Sequence, residues 1–209
     1  MVVVALFVSY KTTAEQVQVA DIGDISELNG SAQIVRNKTS NTAALKLGIQ
    51  TYDEAITKNG RMAITFLDNS TVKLTEHSQL VVDEYIYDPD PSKSKMSLNF
   101  ALGTARFITG NLNRIDKQNI KLSTPTANIA IRGTDFTATV DELGRSLIIL
   151  LPDAFGLSSG EIEVVTATGS VLLNKPYEAT TVDVFENAPS KPVVLDLTLD
   201  IIDNMLIVT

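Results

Sequence analysis

Cysteine is absent from the 209 residues, and histidine occurs only once, at His77. Without thiols the chain forms no disulfide bond and offers no thiolate to a metal ion. A single histidine beside Glu76 also cannot supply the several imidazole ligands of a zinc site, so we interpret His77 as a loop residue. The sequence therefore predicts neither a metal centre nor a cofactor.

Basic residues are outnumbered, with 17 Lys and Arg against 25 Asp and Glu and a formal net charge of -8. Nucleic-acid binding needs clustered cations that displace counterions from phosphates, and anionic membrane surfaces attract the same charges. Neither partner is expected. Hydrophobic residues make up 44% of the chain, which is enough for a packed core.

Long apolar runs are also scarce. Met1–Tyr10 is apolar but much shorter than the roughly 20 residues that cross a bilayer, so no membrane span is expected. No Lys or Arg precedes this run, and Thr12–Ala14 is a poor cleavage site, which disfavours a secretory signal. We expect residues 1–21 to form an apolar N-terminal arm or strand, and a signal cleaved near residue 15 remains the alternative.

Short runs of β-branched, aromatic and aliphatic residues alternate with turn residues from Ile22 onward, and helical periodicity is scarce. This pattern predicts an all-β fold, a sandwich or solenoid-like stack of sheets with few or no long helices. The predicted strands are Ser31–Arg36, Arg61–Leu67, Thr71–Leu74, Gln79–Tyr87, Lys95–Leu102, Thr104–Ile108, Asn119–Leu122, Ala127–Arg132, Asp135–Val140, Ser146–Leu151, Glu161–Thr166 and Ser170–Leu173. Predicted turns between them include Asn29–Gly30, Asn59–Gly60, Asp68–Asn69, Glu142–Gly144 and Thr168–Gly169.

Two hairpins are predicted in more detail. Arg61–Leu67 is expected to turn back into Thr71–Leu74, because the apolar positions of both runs alternate onto one face. Ala127–Arg132 is expected to reverse at Gly133 into Asp135–Val140, which show the same alternation. These faces are the predicted core.

The composition changes near the end of the sequence. Residues 187–192 resemble a linker, and Val193–Thr209 is strongly apolar with interspersed aspartates, a pattern compatible with helix or strand. An apolar tail after a linker is expected to dock, either on its own domain or on a neighbouring protein. The candidate docking residues are Leu197, Leu199, Ile201, Ile202, Met205 and Leu206.

Ser123–Ala127 and Ile129–Phe136 read STPTA and IAIRGTDF. Together they resemble the signature of the FecR domain, a TP-x-A segment followed by V-R-G-T-x-F. Weaker similarities at Leu47–Gly48, Phe66–Ser70 and Leu102–Phe107 extend the resemblance over about residues 22–150. It implies a β-rich module of the kind found in bacterial envelope signalling proteins, extracytoplasmic proteins and some phage particles. The expected organisation is a FecR-like domain at 22–150, an added β-hairpin region at 151–186, and the linker and tail at 187–209.

The signature residues themselves predict an architectural role. They are Pro125, Arg132, Gly133, Thr134 and Phe136. Pro125 favours extended backbone before it, and Gly133 permits a sharp change of direction. A cross-turn ion pair between Arg132 and Asp135 is expected, although an exposed pair contributes only about 0–1 kcal/mol.

Catalytic chemistry is not predicted. Gly156–Gly160 matches the G-x-S-x-G pattern of hydrolases, but a strand-like run follows where a nucleophile elbow needs a helix, and His77 precedes Ser158. Asp88, Asp90 and Ser92 alternate faintly like a calcium loop, yet the later positions lack the required Gly and Glu. We expect loops at both places and no catalytic residues.

Motifs such as Leu74–His77, Tyr87–Ser97 and Asp141–Leu147 also resemble FecR-like virion structural proteins of contractile-tailed phages that infect marine cyanobacteria. The resulting prediction is a non-catalytic virion component that assembles with neighbouring subunits as a homo-oligomer or hetero-oligomer. The alternative is an exported FecR-domain sensor or scaffold, periplasmic or extracellular, that binds a protein or a polysaccharide.

Overall fold

The computed structural model describes residues 19–88, 90–110 and 119–198. Over these residues the chain forms fifteen β-strands and one 3₁₀ turn, Pro91–Lys93. The strands are β1 (Gly23–Arg36), β2 (Thr39–Thr42), β3 (Gly48–Ile49), β4 (Glu54–Phe66), β5 (Thr71–Leu74), β6 (Gln79–Ile86), β7 (Lys95–Ile108), β8 (Ile120–Ser123), β9 (Asn128–Arg132), β10 (Asp135–Val140), β11 (Ser146–Leu150), β12 (Glu161–Val165), β13 (Ser170–Leu173), β14 (Glu178–Val182) and β15 (Val193–Val194). The predicted all-β class is confirmed. Within the described ranges, no helix has the length and apolar composition needed to cross a membrane.

Strand β7 is the centre of the sheet. Its first half pairs with β6 and β8, and its second half pairs with β5 and β10. From there one path continues through β9 and β12 to β13, and another through β11 and β14 to β15. Because the two halves of β7 have different neighbours, the sheet folds over into two layers that enclose one core.

A kink at Gly103 allows β7 to pair with strands of both layers. The buried positions of β7 are even-numbered before the kink, up to Phe100, and odd-numbered after it, from Ala105. Gly103 has a φ of 95°, which side chains with a Cβ rarely adopt. The change of direction therefore turns both halves of the strand toward the same core.

Strands β1 and β4 change their inward-facing positions in the same way. The register of their ladder shifts beside Gly30, which pairs with Gly60. The predicted turns at Asn29–Gly30 and Asn59–Gly60 are therefore wrong as chain reversals. Both dipeptides lie inside long strands, where their turn-forming backbone produces a bulge instead of an exit from the sheet.

The predicted hairpin between β4 and β5 is confirmed, with Met62 opposite Leu74 and Ile64 opposite Val72. The predicted hairpin between β9 and β10 is wrong. β9 pairs with β8 and β12, whereas β10 pairs with β7 and β11. Gly133, with a φ of 52°, redirects the chain from one layer to the other, so the two strands share the core without sharing hydrogen bonds.

The beginning of the apolar tail lies against the chain's own sheet. β15 pairs with β14, and the Leu195 amide donates to the Tyr177 carbonyl at 2.9 Å. Leu197 packs with the buried Leu151. In the segment expected to be a linker, the Ser190 hydroxyl accepts a hydrogen bond from the Thr181 amide of β14.

The other candidate docking residues, Leu199, Ile201, Ile202, Met205 and Leu206, lie outside the described residues, as does most of the N-terminal arm. The four-segment division of the chain stays a prediction.

A buried polar contact joins β6 to the turn between β4 and β5. The Tyr85 hydroxyl donates to Asp68 Oδ1 at 2.9 Å, and the Tyr85 ring stacks on Phe66 with centroids 5.3 Å apart. The Ser70 hydroxyl donates to the other carboxylate oxygen of Asp68. Burial, assisted by the negative charge of Asp68, raises the pKa of Tyr85 well above its ordinary value.

This raised pKa predicts a loss of stability in alkali. Below pH 10 both the folded and the unfolded chain keep the Tyr85 proton. Above pH 10 the unfolded chain releases it and the folded chain does not, so the free energy of unfolding falls by up to about 1.4 kcal/mol per pH unit. Urea unfolding between pH 7 and 11 measures this slope.

Tyr85→Phe is expected to unfold more easily at pH 7, by about 1–3 kcal/mol, because Asp68 loses a buried donor. Its slope above pH 10 should be shallower than that of the wild type. The exposed Tyr52 provides the control, since Tyr52→Phe should leave both quantities unchanged. Equal slopes in the wild type and both variants would contradict the assignment.

Candidate functional site

A cleft of about 470 Å³ opens at the Gly133 motif. One wall is the end of β7 with Arg106, Ile108 and Thr109, and the floor is Gly133–Asp135. The loop after β11 supplies the opposite wall, through Pro152–Ala154 and Ser159. We call this the signature cleft, because the resemblance to a known family is strongest there.

An ion pair crosses one side of the signature cleft. Arg106 Nε donates to Asp135 Oδ1 at 2.8 Å, and Nη2 donates to Oδ2 at 2.6 Å. Two parallel hydrogen bonds of this kind fix the orientation of both side chains. Arg106 and Asp135 come from the neighbouring strands β7 and β10, whose register places them close together.

The expected ion pair between Arg132 and Asp135 is wrong. Arg132 Nη1 instead binds Glu161 Oε2 at 2.8 Å. Arg132 is the last residue of β9 and lies directly opposite Glu161 at the start of β12. The chain changes direction at Gly133, so Arg132 and Asp135 lie on different strands. Each pairs with a counterion on a strand next to its own.

Three hydroxyl side chains tie the floor of the cleft to its walls. Thr109 Oγ1 accepts from the Thr134 amide at 2.7 Å and donates to the Thr134 carbonyl at 3.1 Å. Thr134 Oγ1 lies 3.0 Å from Ser159 Oγ. Ser159 Oγ also accepts from the Asp135 amide at 3.0 Å and lies 2.7 Å from the Leu151 carbonyl. Ser159 therefore connects the loop after β11 to the motif.

Ser159→Ala is expected to lower the free energy of unfolding by about 1–3 kcal/mol, because the partly buried Asp135 amide and the Thr134 hydroxyl lose their partner. The adjacent Ser158 is the matched control. Its hydroxyl makes one local hydrogen bond, to the Gly160 carbonyl at 2.7 Å, so Ser158→Ala should cost less than about 1 kcal/mol. Urea unfolding of both variants measures the difference, and equal losses would contradict the role given to Ser159.

The proline-led half of the motif forms a second hydroxyl cluster. Thr126 Oγ1 lies 2.7 Å from Ser146 Oγ, and Ser146 donates to Thr124 Oγ1 at 2.8 Å. Thr126 also donates to the Val182 carbonyl at 3.2 Å. The cluster joins the β8–β9 turn to β11 and β14, while Pro125 itself is exposed at the turn.

Phe136 lies behind the cleft and is fully buried. Its ring stacks on Phe107 with centroids 5.0 Å apart, and Phe107 meets Phe100 edge to face at 5.9 Å. Phe136 thus packs the core directly under Thr134 and Asp135, and its role is to support the floor of the cleft.

The other candidate sites of the sequence lie in turns and loops. Ser158 is followed by β12, so the strand predicted after the Gly156–Gly160 loop is confirmed. His77 lies in the turn between β5 and β6, as expected. Asp88 and Asp90 accept hydrogen bonds from the backbone of their own turn, and the bonds from Ser92 lower the pKa of Asp90. Among the described residues no three His, Cys, Asp or Glu side chains gather as a metal site.

Sequence reasoning missed three residues that hold the site together. Ser159 and Ser146 give no local signal, because each acts through partners that are distant in sequence. Thr126 lies inside the recognised motif, where a run of hydroxyl residues around Pro125 is the one hint of a polar cluster.

The sequence profile described as FecR protein matches residues 53–172, which include both halves of the motif and every wall of the signature cleft. Two crystal structures of a candidate anti-sigma factor from Parabacteroides distasonis are similar, each with 14% sequence identity and a TM-score of 0.46. The match covers 65% of this chain and 56% of theirs. No curated protein sequence matches the chain.

Proposed function

The chain belongs to the FecR protein family, and from this premise we propose that it is a non-catalytic module that acts outside the cytoplasm and binds another protein. The main support for the proposal is that the side chains of the motif are bonded within the chain. Arg132, Asp135 and Thr134 are all bonded to other parts of the chain. The motif therefore builds a rigid surface and leaves binding to the groups around it.

The electrostatics agree with a binding role. No buried side-chain nitrogen or oxygen in the described residues lacks a hydrogen-bond partner. Catalytic side chains usually lie in a cleft and have strongly shifted pKa values. Among the described residues that line the signature cleft, Arg106 and Asp135 form an ion pair, which holds two strands in place.

Fractionation of the source cell, followed by chemical cross-linking, tests the proposal. The chain is expected in the envelope or extracellular fraction, cross-linked to one protein at a fixed ratio. N-terminal sequencing of the same material should find a mature end near residue 15 if residues 1–14 are a signal. A chain that stays in the cytoplasm without a stoichiometric partner would contradict the proposal.

The virion setting predicted from the longer resemblance has no support from the comparisons and stays a prediction, as does a polysaccharide ligand. Mass spectrometry of purified particles tests the virion setting directly. There the chain should occur at a constant copy number, and its absence from particles would count against this setting alone.

A further inference from the structure

The loop that forms one wall of the signature cleft presents two apolar side chains to solvent. Phe155 is 88% exposed and Leu157 is 65% exposed. They flank Gly156, two and four residues beyond Asp153, which lines the cleft. Large exposed apolar side chains beside a cleft are typical anchors for a binding partner.

The loop is held in this conformation by its own hydrogen bonds. Asp153 Oδ1 accepts from the Phe155 amide at 2.8 Å and from the Leu157 amide at 2.9 Å. The Asp153 amide donates to the Leu157 carbonyl at 2.7 Å. Ser159 then anchors the loop to Thr134 and Asp135 of the motif. Phe155 is thus presented by an ordered loop, which reduces the entropy lost when a partner binds.

The chain contains a second loop of the same construction. In Asp141–Arg145, Asp141 Oδ1 accepts from the Leu143 and Arg145 amides, both at 2.9 Å, and Leu143 is 78% exposed. The two loops lie at opposite ends of β11. They differ in charge, because Arg145 Nε binds Asp141 Oδ2 at 2.7 Å, whereas the equivalent position of the cleft loop is Leu157.

The sequence segment that contains the cleft loop is acidic, and Arg132 from β9 pairs with one of its carboxylates, Glu161. Between Ser146 and Asn174 the sequence contains Asp153, Glu161 and Glu163 and no Lys or Arg. Asp153 forms no ion pair with any described residue. Among the described residues that line the cleft, Asp135 and Asp153 are the acidic side chains and Arg106 is the basic one. Asp153 lies two residues from the exposed Phe155. A negative charge beside an exposed apolar side chain favours a partner that combines a positive charge with an apolar side chain.

We propose that the signature cleft binds an extended segment of the partner protein in which a Lys or Arg lies beside an apolar residue. The apolar side chain packs on Phe155 and Leu157, and the cation binds the Asp153 carboxylate. This assignment rests on the proposed function, since it names the surface and the partner chemistry of the same module.

A phage-displayed library of random 12-residue peptides, selected on the immobilised full chain, is the probe. Enriched peptides are expected to combine Lys or Arg with an aromatic or aliphatic residue. Fluorescence anisotropy with the synthetic peptides should show about tenfold weaker binding to Phe155→Ala, as for the loss of an anchor residue. Asp153→Asn keeps the acceptor oxygen of the loop and removes the charge, so it should weaken binding and reduce its salt dependence.

Leu143→Ala is the matched control, because it removes an equally exposed side chain from the twin loop. It should bind the peptides as the wild type does, and circular dichroism should show the same fold for all variants. The proposal would be overturned if no sequence were enriched, if the enriched peptides lacked a cation, or if Phe155→Ala and Leu143→Ala lost binding equally. A source-cell partner that binds the Phe155→Ala chain normally would remove the cleft assignment and leave the proposed function intact.

Discussion

Phe136→Ala is expected to lower the free energy of unfolding by about 3–5 kcal/mol, the range for removal of a large buried aromatic side chain. Phe136 is fully buried and stacks on Phe107, so its loss leaves a cavity beside the Phe107 ring in the core. β10 is paired on both sides, with β7 and β11, which limits how far its backbone can move to fill the cavity. A loss of this size is a large fraction of the stability of an ordinary domain.

The control for this prediction is the same substitution at an exposed position. Phe155→Ala removes an identical side chain that is 88% exposed, so the free energy of unfolding should change by no more than about 0.5 kcal/mol. Denaturant unfolding of both variants gives the comparison. A small effect at Phe136 would mean that the aromatic stack does not support the floor of the cleft.

Gly103→Ala is expected to destabilise the chain by about 2–5 kcal/mol, through backbone strain at positive φ and through overpacking. A Cβ at this position would lie 2.6 Å from the Cα of Ser78 and 2.2 Å from its Oγ. The buried Ser78 hydroxyl also accepts from the Thr104 amide at 3.2 Å. The methyl group would therefore push apart the kink that lets β7 serve both layers.

Gly156 separates the two causes of that loss. Its φ of 77° is similarly positive, but a Cβ there meets no atom within 4 Å. Gly156→Ala should therefore cost only the backbone strain, about 1–2 kcal/mol. Thermal and urea unfolding of both variants measure the difference. Equal losses would show that close packing at the β7 kink is unimportant.

Most strands were predictable because their signal is local. Alternating apolar residues over Thr71–Leu74 and Asp135–Val140, and the apolar run in Ser170–Leu173, gave the observed bounds. Strands without this signal were missed. β2 is polar and wholly exposed, and β14 consists largely of small and polar residues that are buried by its neighbours β11 and β15.

Glycine-containing dipeptides were harder to interpret. The signal at Gly30 and Gly60 correctly marks backbone that departs from regular strand, but the chain continues in the same ladder. At Gly133 the reversal was expected to pair β9 with β10, and instead the chain changes layers. A positive φ determines the local direction of the backbone, and the surrounding strands decide which partner that direction reaches.

In the candidate site, too, local sequence signals were recognised and contacts between distant residues were not. The residues of the motif were recognised, while the partners of Arg132 and Asp135 were not, because Glu161 and Arg106 lie 29 residues away from them in sequence. The exposed loop around Phe155 gave no periodic pattern to notice. Its significance comes from the cleft beside it, which is assembled from β7, β10 and the loop after β11.

Sequence alone determined the all-β class, the family resemblance and the absence of cysteine chemistry, because alternation, motif spacing and composition are properties of neighbouring residues. Tertiary structure alone decided which strands pair, where the ion pairs form and which apolar side chains remain exposed. Those outcomes depend on backbone hydrogen bonds between distant segments, and these form only when the whole sheet closes over its core.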